Sequence, residues 1–370
     1  MRTMKIAWTV LFLSGAVSFA AGAGATTAPV PAHFEPGSVS FVSASQGFVL
    51  GTSPCTSEPC TALVTTANGS KAWAATTAPP APFASASSPS SGSVSQVLFA
   101  NDSDGWVYGP TLLATYNGAE SWTSVKLGGP VYLLATSAHE VYAVVGSCSP
   151  SARNCPTPTL RLERAAVGSG VWHAVPGVSG YGTSAVLRAN GVNAWVSFPP
   201  KKTGAVMIWR SSNSGSTWQR LPNPCYQPSQ ATDLAGMASP GGDLLFELCA
   251  GNPGAGQEGK SLWASTNGGI SGHVVSKLPL GGLALGLAAP SSSDILVTAV
   301  SGATFVYRST NGGATWTTHS FADGGAGLYN LAFATPSFGN AVEGSPVDGP
   351  NDDRLLETSD GGATWSPVHI

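Results

Sequence analysis

Between residues 97 and 127 the chain reads VLFANDSDGWVYGPTLLATYNGAESWTSVKL, and its apolar residues fall into short runs separated by polar turns. VLFA gives way to NDSD, then comes GWVYG, then a loop, LLAT, a polar stretch and WTSVKL. Runs this short, bounded by Gly, Asn, Asp and Ser, predict strands joined by turns and not helices. Four in succession predict a small antiparallel sheet. The same layout closes the chain as LYNLAFA, NAVEG, RLLETS and TWSPVHI, and begins it as SVSFVSA, GFVLG, ALVTT and AWAAT.

The polar stretch before the fourth run recurs. STNGGATW occupies 309–316 and TSDGGATW 358–365, with SSNSGSTW at 211–218, TYNGAESW at 115–122 and TANGSKAW at 66–73. STNGGISG at 265–272 lacks the aromatic residue, and AAVGSGVW at 165–172 keeps the tryptophan but not the amide. Aligned on Asn68, Asn117, Val167, Asn213, Asn267, Asn311 and Asp360, the copies lie 49, 50, 46, 54, 44 and 49 residues apart. A lone four-stranded sheet cannot bury both faces, whereas seven packed around an axis can. The expectation is therefore an all-β fold, a seven-bladed β-propeller of four-stranded antiparallel blades over 37–370, with the repeated stretch turning the third strand into the fourth. Asn or Asp can bond turn amides through its side chain, and Gly takes positive φ at little cost. Trp73, Trp122, Trp218, Trp316 and Trp365 are expected to fill the outer part of the ring, where blades diverge. Residues 26–36 read as a linker or ring-closing segment, with Pro29–Pro36 placed to latch onto the last blade.

Composition narrows the setting. Charged residues are 9% of the chain, against roughly 25% in an average protein, and the net charge is −3. That excludes the dense Lys/Arg surface which nucleic acid requires. A surface relying on Ser, Thr and Asn suggests tolerance of acidic surroundings. MRTMKIAWTVLFLSGAVSFAAGAG opens with Arg2 and Lys5, an apolar stretch and small residues, the pattern of a secretory signal peptide over 1–25. No later segment is apolar and long enough to span a bilayer. The mature protein is expected to be secreted or otherwise extracytoplasmic, and monomeric. Six cysteines fit that compartment: CTSEPC and CSPSARNC favour local Cys55–Cys60 and Cys148–Cys155 pairs, leaving Cys225 with Cys249.

The motif Ser/Thr-x-Asp/Asn-x-Gly-x-Thr-Trp resembles the Asp-box, or bacterial neuraminidase repeat, found in sialidases and xyloglucan-cleaving propellers. With Asp102 or Asp104, Gly105 and Trp106 ahead of it, the fuller repeat is closer to the photosystem II stability/assembly factor-like propellers. About nine-tenths of the chain is covered by this resemblance, which implies the fold and not the function. Sialidases are expected to use three arginines, the first in an Arg-Ile-Pro stretch, and no Arg-Ile-Pro occurs here. Arg210 and Arg308, directly before the motif, are expected on third strands away from the central pore. For the assembly factors a basic patch is expected, and the chain has too few basic residues for one.

Function is therefore sought in the loops between second and third strands, which the layout gathers at the end opposite the Asp-box turns. They include CTSEPC, CSPSARNC, PPKKTGA at 199–205, GNPGAGQEGK at 251–260 and SPVDGPNDDR at 345–354. Candidate binding residues are Lys201 and Lys202, which could meet an anionic glycan, and the acidic cluster Asp348, Asp352 and Asp353. The sequence reading is a non-enzymatic binding or scaffold propeller for a protein or glycan partner at the cell surface, with no cofactor and no metal. The alternative is a glycoside hydrolase using an acidic pair, Asp352/Asp353 or Asp233/Asp243.

Overall fold

Each group of four apolar runs folds into its own antiparallel sheet, and the strands in every sheet lie in chain order. A computed structural model describes residues 28–370 apart from 56–59, 85–89, 91, 150–154, 156, 183, 200–206, 226–232, 322–324 and 345–352. Seven such sheets span residues 35–75, 96–125, 131–181, 186–222, 233–277, 283–321 and 328–367, here blades 1 to 7. No helix occurs among the described residues. The first strand of each blade contacts the first strands of both neighbours all the way round, so these strands line the axis of a seven-bladed propeller.

The core is divided accordingly. Seven separate apolar clusters each fill one seam between neighbouring blades. Small residues serve the crowded centre: Ser38 and Ser40 of blade 1 are buried and accept bonds from the backbone N–H groups of Val97 and Phe99 in blade 2. Between blades 7 and 1 the ring closes through Val39, Val49 and Val64 against Val342 and Leu355, with Val30, Phe34, Val368 and Ile370 packed on them. Just before blade 1, the Ala28 carbonyl accepts from the Ala75 N–H at 2.9 Å, adding a bridge to that blade's outermost strand.

All seven repeated stretches connect third to fourth strands and mark one end of the ring. Thr115, Ser211, Ser265, Ser309 and Thr358 each accept from the backbone N–H four residues on, at 2.8–3.0 Å. Their hydroxyls donate to the side-chain oxygen of Asn117, Asn213, Asn267, Asn311 or Asp360, which in turn accepts the amide four residues beyond itself. Asn68 does the same with Thr66 and Ala72. Hydrogen bonds from Thr364 and Thr358 and from backbone amides hold the exposed Asp360 carboxyl down at about 2. Two successive residues then take positive φ, for example Gly312 and Gly313 or Gly361 and Gly362. The second glycine is doubly required. A Cβ on Gly362 would come within 2.1 Å of Leu296 in the preceding blade. Val167 forms no such bonds through its side chain and packs into the seam between blades 2 and 3 instead. Trp122 and Trp316 reach back to Thr77 and Ser276 of the blade before, while Trp218 donates to Gly215 of its own turn. Trp73 and Trp365 pack in the seams on either side of blade 7, their indole N–H groups buried without a partner.

Candidate functional site

The strand ends that the five individual loops connect lie at the end opposite these turns, because each loop joins a second strand to a third. Two loops are closed by disulfides, Cys55–Cys60 and Cys148–Cys155. A third disulfide, Cys225–Cys249, ties the segment after blade 4 to the second strand of blade 5. Between blades 2 and 3 this end opens into a groove of about 690 Å³. Leu112, Val125, Leu127, Pro130 and Val131 give it an apolar floor, with Lys126 and Ser149 at the sides. The walls are held from beneath: the Arg161 guanidinium donates to the Leu127 carbonyl, and the Tyr132 hydroxyl donates to the Cys148 carbonyl at 2.8 Å. Burial raises the Tyr132 hydroxyl above its ordinary pKa, so it remains a donor.

The loop at 251–260 is locked by its own last residue. Lys260 is buried, and its Nζ donates to the carbonyls of Glu258, Leu280, Gly281 and Gly282 at 2.7–3.0 Å. Burial lowers its pKa, while the four carbonyls satisfy its donors. Glu258 accepts from the Ala284 N–H at 2.7 Å, so the loop is bonded to the next blade as well.

A different environment lies between blades 4 and 5. Strand register puts Arg188, Trp195 and Arg210 in one row on the face of blade 4 that meets blade 5, and Met237, Glu247 and Trp263 in one row of blade 5. Arg210 is paired: its terminal nitrogens donate to Asn193, Asp243 and the Asn267 carbonyl, and only its Nε is buried without a partner. Glu247 is not. It is fully buried with both oxygens unpartnered, and burial pushes its carboxyl up to about 8. Arg188 stands on an innermost strand with its Nε buried and unpartnered, and burial lowers its pKa. The sequence offered no signal for either residue, since Glu247 sits inside the run LLFELCA and Arg188 inside VLRAN.

Lys201, Lys202, Asp348 and Asp352 lie outside the described residues. Asp353 borders the third strand of blade 7, close to the Gly344 backbone and next in sequence to Arg354, which pairs with the buried Glu343. The proposed pair Asp233/Asp243 does not form. The two residues sit at opposite ends of the strand Asp233–Gly241, roughly 25 Å apart at strand rise, and Asp243 is taken by Arg210. Paired glycosidase carboxylates stand about 5–9.5 Å apart. Arg210 and Arg308 do stand on third strands. Among the described residues no group of three His, Cys, Asp or Glu side chains could hold a metal ion. No helix among them is long and apolar enough to cross a membrane.

No protein-family model and no curated protein sequence matches the chain. Solved structures do. The chain is similar to YCF48 bound to D1 peptide, with a TM-score of 0.53 and 18% identity over 90% of this chain and 95% of that one. YCF48 from Cyanidioschyzon merolae gives 0.55 and 16%, over 91% and 99%. It shares their propeller fold. An oligogalacturonate lyase in complex with manganese has a TM-score of 0.56 at 10% identity, over 85% of this chain and 86% of that one. At these identities the likeness is one of fold, and it extends to a binding protein and an enzyme alike.

Proposed function

We propose that the protein is an exported, non-enzymatic binding and scaffold propeller that holds a segment of a protein partner at its looped end. The observation that carries this reading is the groove between blades 2 and 3. Its apolar floor and backbone-rich rim, set between Gly128, Gly129 and the disulfide-closed loop, suit an extended peptide. A rim fixed before binding lowers the ordering cost of capture. The occurrence of a bound D1 peptide on a propeller of the same fold supports a protein partner over a free sugar. Three disulfides suit an oxidising compartment.

The test is selection of displayed peptides on the purified mature protein, followed by affinity measurement on a Leu127→Asp variant. Peptides that bind the unaltered protein and lose about tenfold or more on Leu127→Asp place capture in the groove. Peptides unaffected by the change would remove it from there. The same preparation is incubated with polysaccharides and sialosides, and released sugar would replace this reading with an enzymatic one.

A further inference from the structure

Three blades carry an arginine immediately before the Asp-box: Arg164, Arg210 and Arg308. Each works in the same way. An acceptor at the start of its own second strand steadies the guanidinium: Glu140, Asn193 or Asp294, each at 3.3 Å. The guanidinium then donates across the seam to a carbonyl in the next blade's turn, namely Ser214 at 3.3 Å, Asn267 at 3.1 Å or Gly361 at 2.8 Å. These arginines join the box end of one blade to that of the next.

Blade 7 departs from the pattern at both positions. Strand register sets Phe338 where those acceptors stand, two residues before the cross-strand partner Asn340, and the residue before its box is Glu357. The turn facing it across the seam, that of blade 1, again offers backbone carbonyls, to which a carboxylate cannot donate. The space an arginine would fill is open: a cavity of about 460 Å³ lies there, with Glu357, Gly69, Ser70, Lys71, Thr364 and His369 in its wall. Two wall atoms, Glu357 Oε2 and Ser70 Oγ, are buried without a partner. Lys71 shares the wall but leaves Glu357 unpaired. The cross-strand neighbour Asn340 also has a buried, unpartnered amide nitrogen, so it does not satisfy Glu357, and unsatisfied buried acceptors in a cavity of this size call for a donor from outside.

We infer that the cavity between blades 7 and 1 is a docking site for a guanidinium group, the side chain of an arginine presented by a partner protein. It takes the place that Arg164, Arg210 and Arg308 hold in three other seams, donating to Glu357, Ser70 and the carbonyls of the blade 1 turn. The planar fork of a guanidinium serves several acceptors at fixed angles, which an ammonium does not. The site is at the end opposite the groove between blades 2 and 3, so the two stand or fall separately.

The experiment titrates the full mature protein with Nα-acetyl-arginine amide and with Nα-acetyl-lysine amide, read by NMR and by thermal shift. The arginine probe is expected to bind about fivefold or more tightly than the lysine probe. Glu357→Gln should weaken it about tenfold. Glu357→Arg should supply the guanidinium from within, raising Tm and abolishing binding of the probe. The proposal is overturned by wild-type protein that ignores the arginine probe, by Glu357→Gln binding it as well as wild type, or by calcium binding at Glu357 in preference to the probe. It is also overturned if Glu357→Arg lowers Tm, since the seam would then not be shaped for a guanidinium.

Discussion

The two ends of this propeller are made by opposite rules. At the Asp-box end the same hydrogen-bonded turn is written six times with only small changes, and its polar groups bond one another within eight residues. At the looped end no two loops are alike, and order comes from disulfides, from the carbonyls gathered by Lys260, and from single long-range bonds such as Tyr132 to Cys148. Repetition marks the end that holds the ring together. Individuality marks the end free to recognise something. The seams between them decide stability, and they too differ: some are apolar, three are arginine-joined, and one of those three, between blades 4 and 5, also buries the Glu247 carboxyl and the Arg188 Nε without partners.

The largest effect expected from breaking this arrangement is Trp195→Ala. Trp195 is fully buried in the seam between blades 4 and 5, and its indole donates to the Gly268 carbonyl at 2.9 Å, joining that seam to the box end. A loss of about 3–5 kcal/mol is expected in denaturant unfolding; a loss below about 1 kcal/mol would show that this seam is not part of the cooperative unit.

Next in size is the pH dependence of Glu247. Its carboxyl is raised from 4.5 to about 8 in the folded state, so the native protein binds a proton that the unfolded chain releases. The associated stability is fully present below pH 4.5 and is lost as pH rises toward 8. Unfolding free energy should therefore be lower at pH 8 than at pH 5, by up to a few kcal/mol, and Glu247→Gln should flatten that slope. An unchanged slope in the variant would assign it elsewhere. Asp360, held down at about 2 at the box end, works in the opposite sense: its contribution is present above 3.8 and fades as pH falls toward 2.

Smaller effects separate shape from hydrogen bonding within the box. Gly362→Ala forces positive φ on alanine and sets a methyl against Leu296, and about 1–3 kcal/mol should be lost. Gly191→Ala has the φ strain alone, with open space around it, and about 1 kcal/mol is expected. Equal costs for the two would show that packing of the turn on the preceding blade contributes nothing. Asn311→Ala, which removes bonds to Ser309 and Thr315, should cost about 1 kcal/mol, checked by thermal melting beside Val167→Asn, where a gain would mean that blade 3 lacks only the amide.

These differences also explain what the sequence made legible. The fold was readable because its signal repeats: Asn68, Asn117, Val167, Asn213, Asn267, Asn311 and Asp360 return at a near-constant interval, and period is visible without any knowledge of contacts. The looped end was readable only as a location. Glu247, Arg188, Lys260 and Glu357 each occur once, and their meaning depends on the neighbouring blade, tens of residues away. Asp233 and Asp243 misled for the same reason: nearness in sequence along a strand puts two carboxylates far apart in space, at its two ends.

That each blade is complete in itself, four consecutive strands and no exchange with its neighbour, bears on how the chain could assemble. A nascent polypeptide can finish one sheet, dock it on the last, and keep almost every loop short. One seam escapes this economy of distance. Where blade 7 meets blade 1, Asn330 donates to the Gly37 carbonyl across 293 residues. For a flexible chain, joining points that remote carries a length-dependent entropic cost of about 5 kcal/mol, which falls on one seam alone. Six junctions can form locally as synthesis proceeds; the seventh must wait for the whole chain, and an arc with that junction open is the natural next-best state of this molecule.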